Sequence, residues 1–132
     1  MSDPARIISG VIQGSFIGPL LFLLYVNSLT CVFDNDVTCH LFADDVKLYT
    51  VIKTLTDCPS LQKALDKLYD WSVAHQLPIS VRKCSCIVLG NVDTSNTVYN
   101  IGKQPIDVSE VRDLGIIVDS SLKFTSHINS IV

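Results

Sequence analysis

Two aspartates, Asp44 and Asp45, stand side by side in the first half of the chain. Adjacent carboxylates repel by about 1 kcal/mol in water and by several in a shielded site. A solvated turn tolerates them, since turns favour short acids. A hard divalent cation also satisfies them, because it removes the repulsion and takes carboxylate oxygens. The flanking residues bear on the choice: Val37 to Ala43 alternates as a strand does, and Val46 to Ile52 does so again. A β-hairpin with a two-acid tip follows, and strands on both sides would hold the acids rigidly enough for metal chemistry.

The elements that must position this tip are readable around it. Ser9-Gly10-Val11-Ile12-Gln13-Gly14-Ser15 is a glycine-punctuated loop, and Gly18-Pro19 opens an apolar helix running to about Leu29, with Pro19 suited to the first helical position. That helix is greasy on nearly every side, so it belongs inside something. After Cys58-Pro59-Ser60, Leu61, Ala64, Leu65, Leu68 and Trp71 fall on one stripe, with Lys63, Asp66, Lys67 and Asp70 facing water. Ile79 to Val81 and Ser85 to Leu89 read as short strands around Arg82-Lys83, and Asn91 to Asn96 as a polar boundary. Val98 to Ile101 and Gln104 to Ile106 predict a second hairpin around Gly102-Lys103, and Val111 to Val118 a strand interrupted by Gly115. Ser126 to Val132 begins a final helix.

Composition sets the bounds. With 132 residues there is room for one modest domain, and 48% hydrophobic against 17% charged residues excludes intrinsic disorder. A mean hydropathy of +0.38 is high for a domain whose surface should be charged. It implies an apolar face that expects a partner, or a piece of something larger. A net charge of −3 excludes a generic nucleic-acid clamp over the whole chain. The five cysteines are odd in number and lack Cys-x-x-Cys spacing. They read as half-buried thiols in a reducing compartment. The run Leu20 to Val26 is too short to span a membrane and is not built like a signal peptide. The expected location is intracellular, nuclear or cytoplasmic, with no membrane and no secretion.

At this point several segments become recognisable together. The stretch from Ser9 to Phe22 resembles the second palm motif of reverse transcriptases from non-LTR retrotransposons, and Leu41-Phe42-Ala43-Asp44-Asp45-Val46-Lys47-Leu48-Tyr49 resembles their third. Leu61-Gln62, Leu65 and Trp71-Ser72 are similar to the next palm helix, Lys83-Cys84 to the fourth motif, and Leu114-Gly115 to the fifth, the primer grip. His127-Ile128 resembles the lead-in to the thumb. An ordered series at matching distances outweighs any single motif.

The resemblance implies an α+β fold: a partial ferredoxin-like palm over residues 1–90 lacking its first strand, then primer-grip-like strands and the start of the thumb over 91–132. It implies Mg²⁺ (or Mn²⁺) held by Asp44 as principal ligand and Asp45 as a weaker second. It also implies an RNA template, a DNA primer and deoxynucleotides as partners in the intact enzyme. Gln13, Gly14 and Ser15 match the loop lying against template and nucleotide. Lys83 matches a lysine that protonates the departing pyrophosphate, although an idle surface lysine is the plain alternative. Leu114 and Gly115 match the primer grip. Tyr49 and His40 receive no role and are expected on a packed strand face. Ile12 stands where the family usually has proline, and Arg82 where asparagine is frequent.

The family's further aspartate comes from a motif before the glycine loop, where Asp3 is the one acid present. Fingers, first palm strand and most of the thumb have no counterpart either. The expectation is a polymerase fragment inactive and poorly soluble by itself. The alternative is a non-catalytic module retained by a host for binding or interaction.

Overall fold

The computed structural model describes residues 14–90 and 97–131. Helices α1 (Gly18–Val26), α2 (Cys58–Ala74) and α3 (Thr125–Ile131) alternate with four two-stranded ladders. The strands are β1 (Thr38–Phe42), β2 (Asp45–Tyr49), β3 (Ser85–Cys86), β4 (Asn100–Ile101), β5 (Gln104–Pro105), β6 (Asp107–Val108), β7 (Val111–Asp113) and β8 (Ile116–Val118). Three ladders are antiparallel hairpins, β1–β2, β4–β5 and β7–β8, while β3 and β6 pair in parallel. The mixture of helix and strand is that of an α+β chain. The boundary expected at Asn91 to Asn96 and the loop from Ser9 to Gln13 lie outside the described residues.

Helix α2 organises the rest. A 3₁₀ turn precedes it, in which the Asp57 carboxylate accepts the backbone N–H groups of Lys53 and Thr54, both at 2.9 Å. Those bonds hold the Asp57 carboxyl below the usual carboxylate range. At the other end Gln76 takes a φ of +54° and the N–H of Leu77 returns to the Ser72 carbonyl at 2.9 Å. This is the left-handed helix stop usually filled by glycine, here filled by glutamine. Between the caps the expected stripe faces inward: Ala64, Leu65 and Leu68 are buried, and Leu61 and Trp71 pack against the same core.

That core joins Leu29, Leu65, Leu68, Tyr99, Ile101 and Ile106, with Leu41 and Leu48 of the first hairpin against it. Gln62 fastens β4 to the helix: its side-chain oxygen accepts the Asn100 N–H at 2.9 Å and its amide donates to the Asn100 carbonyl at 3.0 Å. The Tyr99 hydroxyl is buried with no partner among the described residues, and burial, with the Cys58 thiol nearby, pushes it up to about 12. The cysteines are all free; Cys58 is buried, Cys31 exposed, and Cys39, Cys84 and Cys86 half-buried.

The second hairpin turns at Gly102, whose φ is +61° and whose missing Cβ leaves room for the Tyr69 ring, an added carbon meeting it at 2.8 Å. Gly102→Ala combines left-handed strain of about 1–2 kcal/mol with that contact. A loss of unfolding free energy of at least about 1–2 kcal/mol is expected, read as a lowered urea midpoint with no change in the denaturant slope.

Three of the expected strands require correction. Ile79 to Val81 is not a strand: Val81–Lys83 forms a 3₁₀ turn, with the Lys83 N–H bonded to the Ser80 carbonyl at 2.9 Å. The strand expected over Ser85 to Leu89 is two residues long, because β6 offers it just two partners. Val111 to Val118 is not one strand with a break but a hairpin. Leu114 and Gly115 both have positive φ, +46° and +93°, and two such residues reverse the chain in a turn matching right-handed strand twist.

Helix α1 starts where expected but stops at Val26, the chain continuing as a 3₁₀ turn through Cys31. Leu20, Leu21, Leu23 and Leu24 are exposed. Its tie to the end of α2 is aromatic and polar: the Tyr25 hydroxyl donates to the His75 carbonyl at 2.7 Å, and the Tyr25 ring meets the His75 ring edge-on with centroids 5.5 Å apart. No described helix is long and apolar enough to cross a membrane.

One ion cluster crosses the surface of α2. Lys63 and Lys67 hold the Asp34 carboxylate at 2.9 and 2.7 Å and keep it down at about 2, against an ordinary value of 3.8. A depressed carboxyl contributes stability above its unfolded value and loses it as pH falls through its folded one. The difference in urea midpoint between the parent chain and Asp34→Asn should therefore be constant above about pH 5 and vanish toward pH 2. The cluster is exposed, so the difference is small.

Candidate active site

The first hairpin carries the paired acids. Its register runs Thr38↔Tyr49, Cys39↔Leu48, His40↔Lys47, Leu41↔Val46 and Phe42↔Asp45. The loop is thus two residues, Ala43 and Asp44. The two-acid tip is corrected by one position: Asp44 lies in the turn, and Asp45 opens β2 opposite Phe42. A two-residue turn needs a positive φ in its first half, and Ala43 supplies it at +53°. This left-handed alanine is strain of about 1–2 kcal/mol beside the acids.

Alternation sorts the side chains. Leu41 and Leu48 point into the core and anchor the ladder on α2. Asp45, Lys47 and Tyr49 share the opposite face with His40 and Phe42. Tyr49 and His40, expected on a packed face, are both exposed and hydrogen-bonded to each other at 3.0 Å. Aromatic rings beside a polar tip fit an outward sheet face as well as an inward one, and sequence alone does not distinguish them.

Asp44 and Asp45 are exposed, and among the described residues neither pairs with a cation nor accepts a side-chain bond. Several other acids are committed, Asp34 to two lysines, Asp57 to backbone amides, and Asp119 to Ser121 and to the Phe124 N–H at 3.1 Å, whereas Asp36, Asp70 and Asp107 are as open as the pair but stand singly. Two uncommitted carboxylates on adjacent residues fit a hard divalent cation in donor type. Among the described residues no group of three or more His, Cys, Asp or Glu converges. The hairpin therefore offers part of an oxygen shell.

The remaining candidates fall in separate places. Gly14 has a φ of +81° in open space, so backbone conformation is what glycine serves there. The Ser15 hydroxyl accepts the Gly18 N–H at 3.0 Å and so helps to start α1. Gln13 lies outside the described residues. Lys83 is exposed at the end of its 3₁₀ turn, with burial holding the thiol of its neighbour Cys84 above the usual range. Among the described residues no hydrogen bond or ion pair links Gly14, Ser15 or Lys83 to Asp44 or Asp45.

One link does form. Lys47, two residues after Asp45, pairs with Asp113 at 2.5 Å, and Asp113 directly precedes the Leu114-Gly115 turn. In the sequence Lys47 falls within the third motif without a role of its own, and Asp113 carries no motif. The signal available was modest: opposite charges, each within or beside a candidate motif.

A family model described as reverse transcriptase (RNA-dependent DNA polymerase) matches residues 4–118. The chain is 30% identical over 132 residues to an RNA-directed DNA polymerase from mobile element jockey of Drosophila funebris, covering 93% of this chain and 14% of that protein. The protein of the same description from Drosophila melanogaster is 29% identical over 133 residues, covering 95% and 14%. The chain thus spans 14% of the length of these curated relatives. No solved structure matches it.

Proposed function

The chain belongs to the reverse transcriptase (RNA-dependent DNA polymerase) family, within the reverse transcriptase domain of a non-LTR element, and from that premise we propose that its β1–β2 hairpin is the metal-holding edge of a polymerase palm. The reaction is transfer of a deoxynucleotide to a primer 3′-hydroxyl on an RNA template. The observation that carries this reading is the uncommitted pair Asp44 and Asp45, exposed on a ladder anchored to the core by Leu41 and Leu48. Asp44 and Asp45 would hold a divalent cation there, which would supply acidification of the attacking hydroxyl and charge compensation at the phosphates.

The chain's own residues have defined tasks in this reading. Asp44, in the turn, is the principal ligand and Asp45 the second. Gln13, Gly14 and Ser15 form the loop beside template and nucleotide, where glycine permits close backbone approach. Lys83 delivers a proton to departing pyrophosphate, and the Leu114-Gly115 turn supports the primer terminus. In this reading the 132 residues alone are inactive, since among the described residues the two carboxylates supply part of the shell that a two-metal site needs. The exposed leucines of α1 support the same reading, since a helix apolar all round belongs inside a larger body.

Templated primer extension in Mg²⁺ tests the proposal. The intact protein is expected to extend the primer and the 132-residue chain is not. Templated synthesis by the short chain, abolished by Asp44→Ala, would overturn its incompetence. A metal-independent intact enzyme would overturn the site.

A further inference from the structure

The segment from Glu110 to Ile131 stands apart from the core. No residue of β7, β8 or α3 is buried, and none belongs to the cluster built on Leu29, Leu65, Leu68, Tyr99, Ile101 and Ile106. Its own bonds are internal. Asp119 gathers Ser121 and the N–H groups of Lys123 and Phe124, Ser126 donates to Glu110 at 3.0 Å, and the Ile117 N–H reaches His127 Nδ1 at 3.5 Å. The chain enters this segment from β6, where the Ser109 N–H bonds to the Cys86 carbonyl at 3.1 Å. From there to Ile131, the one ion pair among the described residues that reaches outside the segment is Asp113 to Lys47.

Lys47 shares its strand face with Asp45, and Asp113 is adjacent to the Leu114-Gly115 turn. Building on the reading above, we propose that Asp113 is a positioning residue of the polymerase site. Through Lys47 it docks the β7–β8 hairpin on the face that carries Asp45, and so fixes the primer-supporting turn relative to the metal ligands. The two side chains are 39% and 40% exposed. A pair of that kind adds little to global stability, which suits a latch whose loss releases the hairpin and leaves the core folded.

Two measurements on Asp113→Asn, Lys47→Gln and the double variant test this. In the 132-residue chain, hydrogen exchange is expected to quicken at β7–β8 amides in each variant while α2 amides keep their protection. In the intact protein, each single variant should raise KM for the primer terminus about two- to fivefold with kcat nearly unchanged, and the double variant should be no worse than either single one. Unchanged exchange in β7–β8, or single effects that multiply in the double variant, would overturn the docking. Loss of kcat with KM unchanged would overturn the primer-positioning role. A parent protein with no templated synthesis would instead overturn the polymerase reading, the exchange result still deciding the latch.

Discussion

Asp44→Asn in the intact polymerase is expected to lower kcat on the order of a thousandfold, with little change in KM for the primer. The side chain keeps its size, so the ladder and its contacts with α2 survive. What disappears is one charge of the proposed oxygen shell. Metal-assisted stabilisation of phosphoryl transfer amounts to several kcal/mol, and each 1.4 kcal/mol is about tenfold in rate. Asp45→Asn should cost less, roughly tenfold to a hundredfold, since the proposed site makes Asp45 the second ligand of the pair. Steady-state primer extension at saturating Mg²⁺ checks both. An Asp44→Asn rate within a few-fold of the parent would mean the carboxylate is a solvated turn acid.

The second large effect is on folding. Leu29 is 1% exposed at the centre of the core, whereas Leu24, one turn and a half earlier, is 66% exposed. Leu29→Ala is expected to cost about 2–5 kcal/mol, the lost transfer free energy plus the cavity left among Leu65, Leu68 and Tyr99. A small core has little to spare, and total stabilities of about 5–15 kcal/mol are usual. Leu24→Ala should fall within about 0.5 kcal/mol. Trp71, the single tryptophan, packs against this core and reports the transition by fluorescence in urea. Equal losses for the two leucines would contradict the packing described.

The same comparison shows what the sequence made legible. The stripe Leu61, Ala64, Leu65, Leu68 and Trp71 gave α2 and its buried face, because helical period and core burial agree there. Alternation gave both strands of the acid-bearing hairpin, and Gly102-Lys103 gave the second turn. Less was legible where a residue takes a conformation its type disfavours. Leu114 and Gln76 occupy left-handed backbone, so one hairpin looked like a single strand and one helix stop carried no glycine. Ala43 does the same, which moved the tip by one residue. The apolar run of α1 promised burial, and the described residues do not bury it. At the site, the acids and the Leu114-Gly115 turn stood out by motif. The Lys47–Asp113 pair needed coordinates, since 66 residues separate partners whose charges are unremarkable alone.

On the proposed reading, the β1–β2 hairpin holds a divalent cation through Asp44 and Asp45. Manganese titration of the ¹⁵N-labelled chain tests it most directly, because paramagnetic broadening marks even weak sites residue by residue. Broadening centred on the amides of Ala43, Asp44 and Asp45, and lost in Asp44→Asn, is the predicted result. Broadening centred on Asp34 and Asp36 or on Asp119, with the hairpin tip untouched, would contradict it.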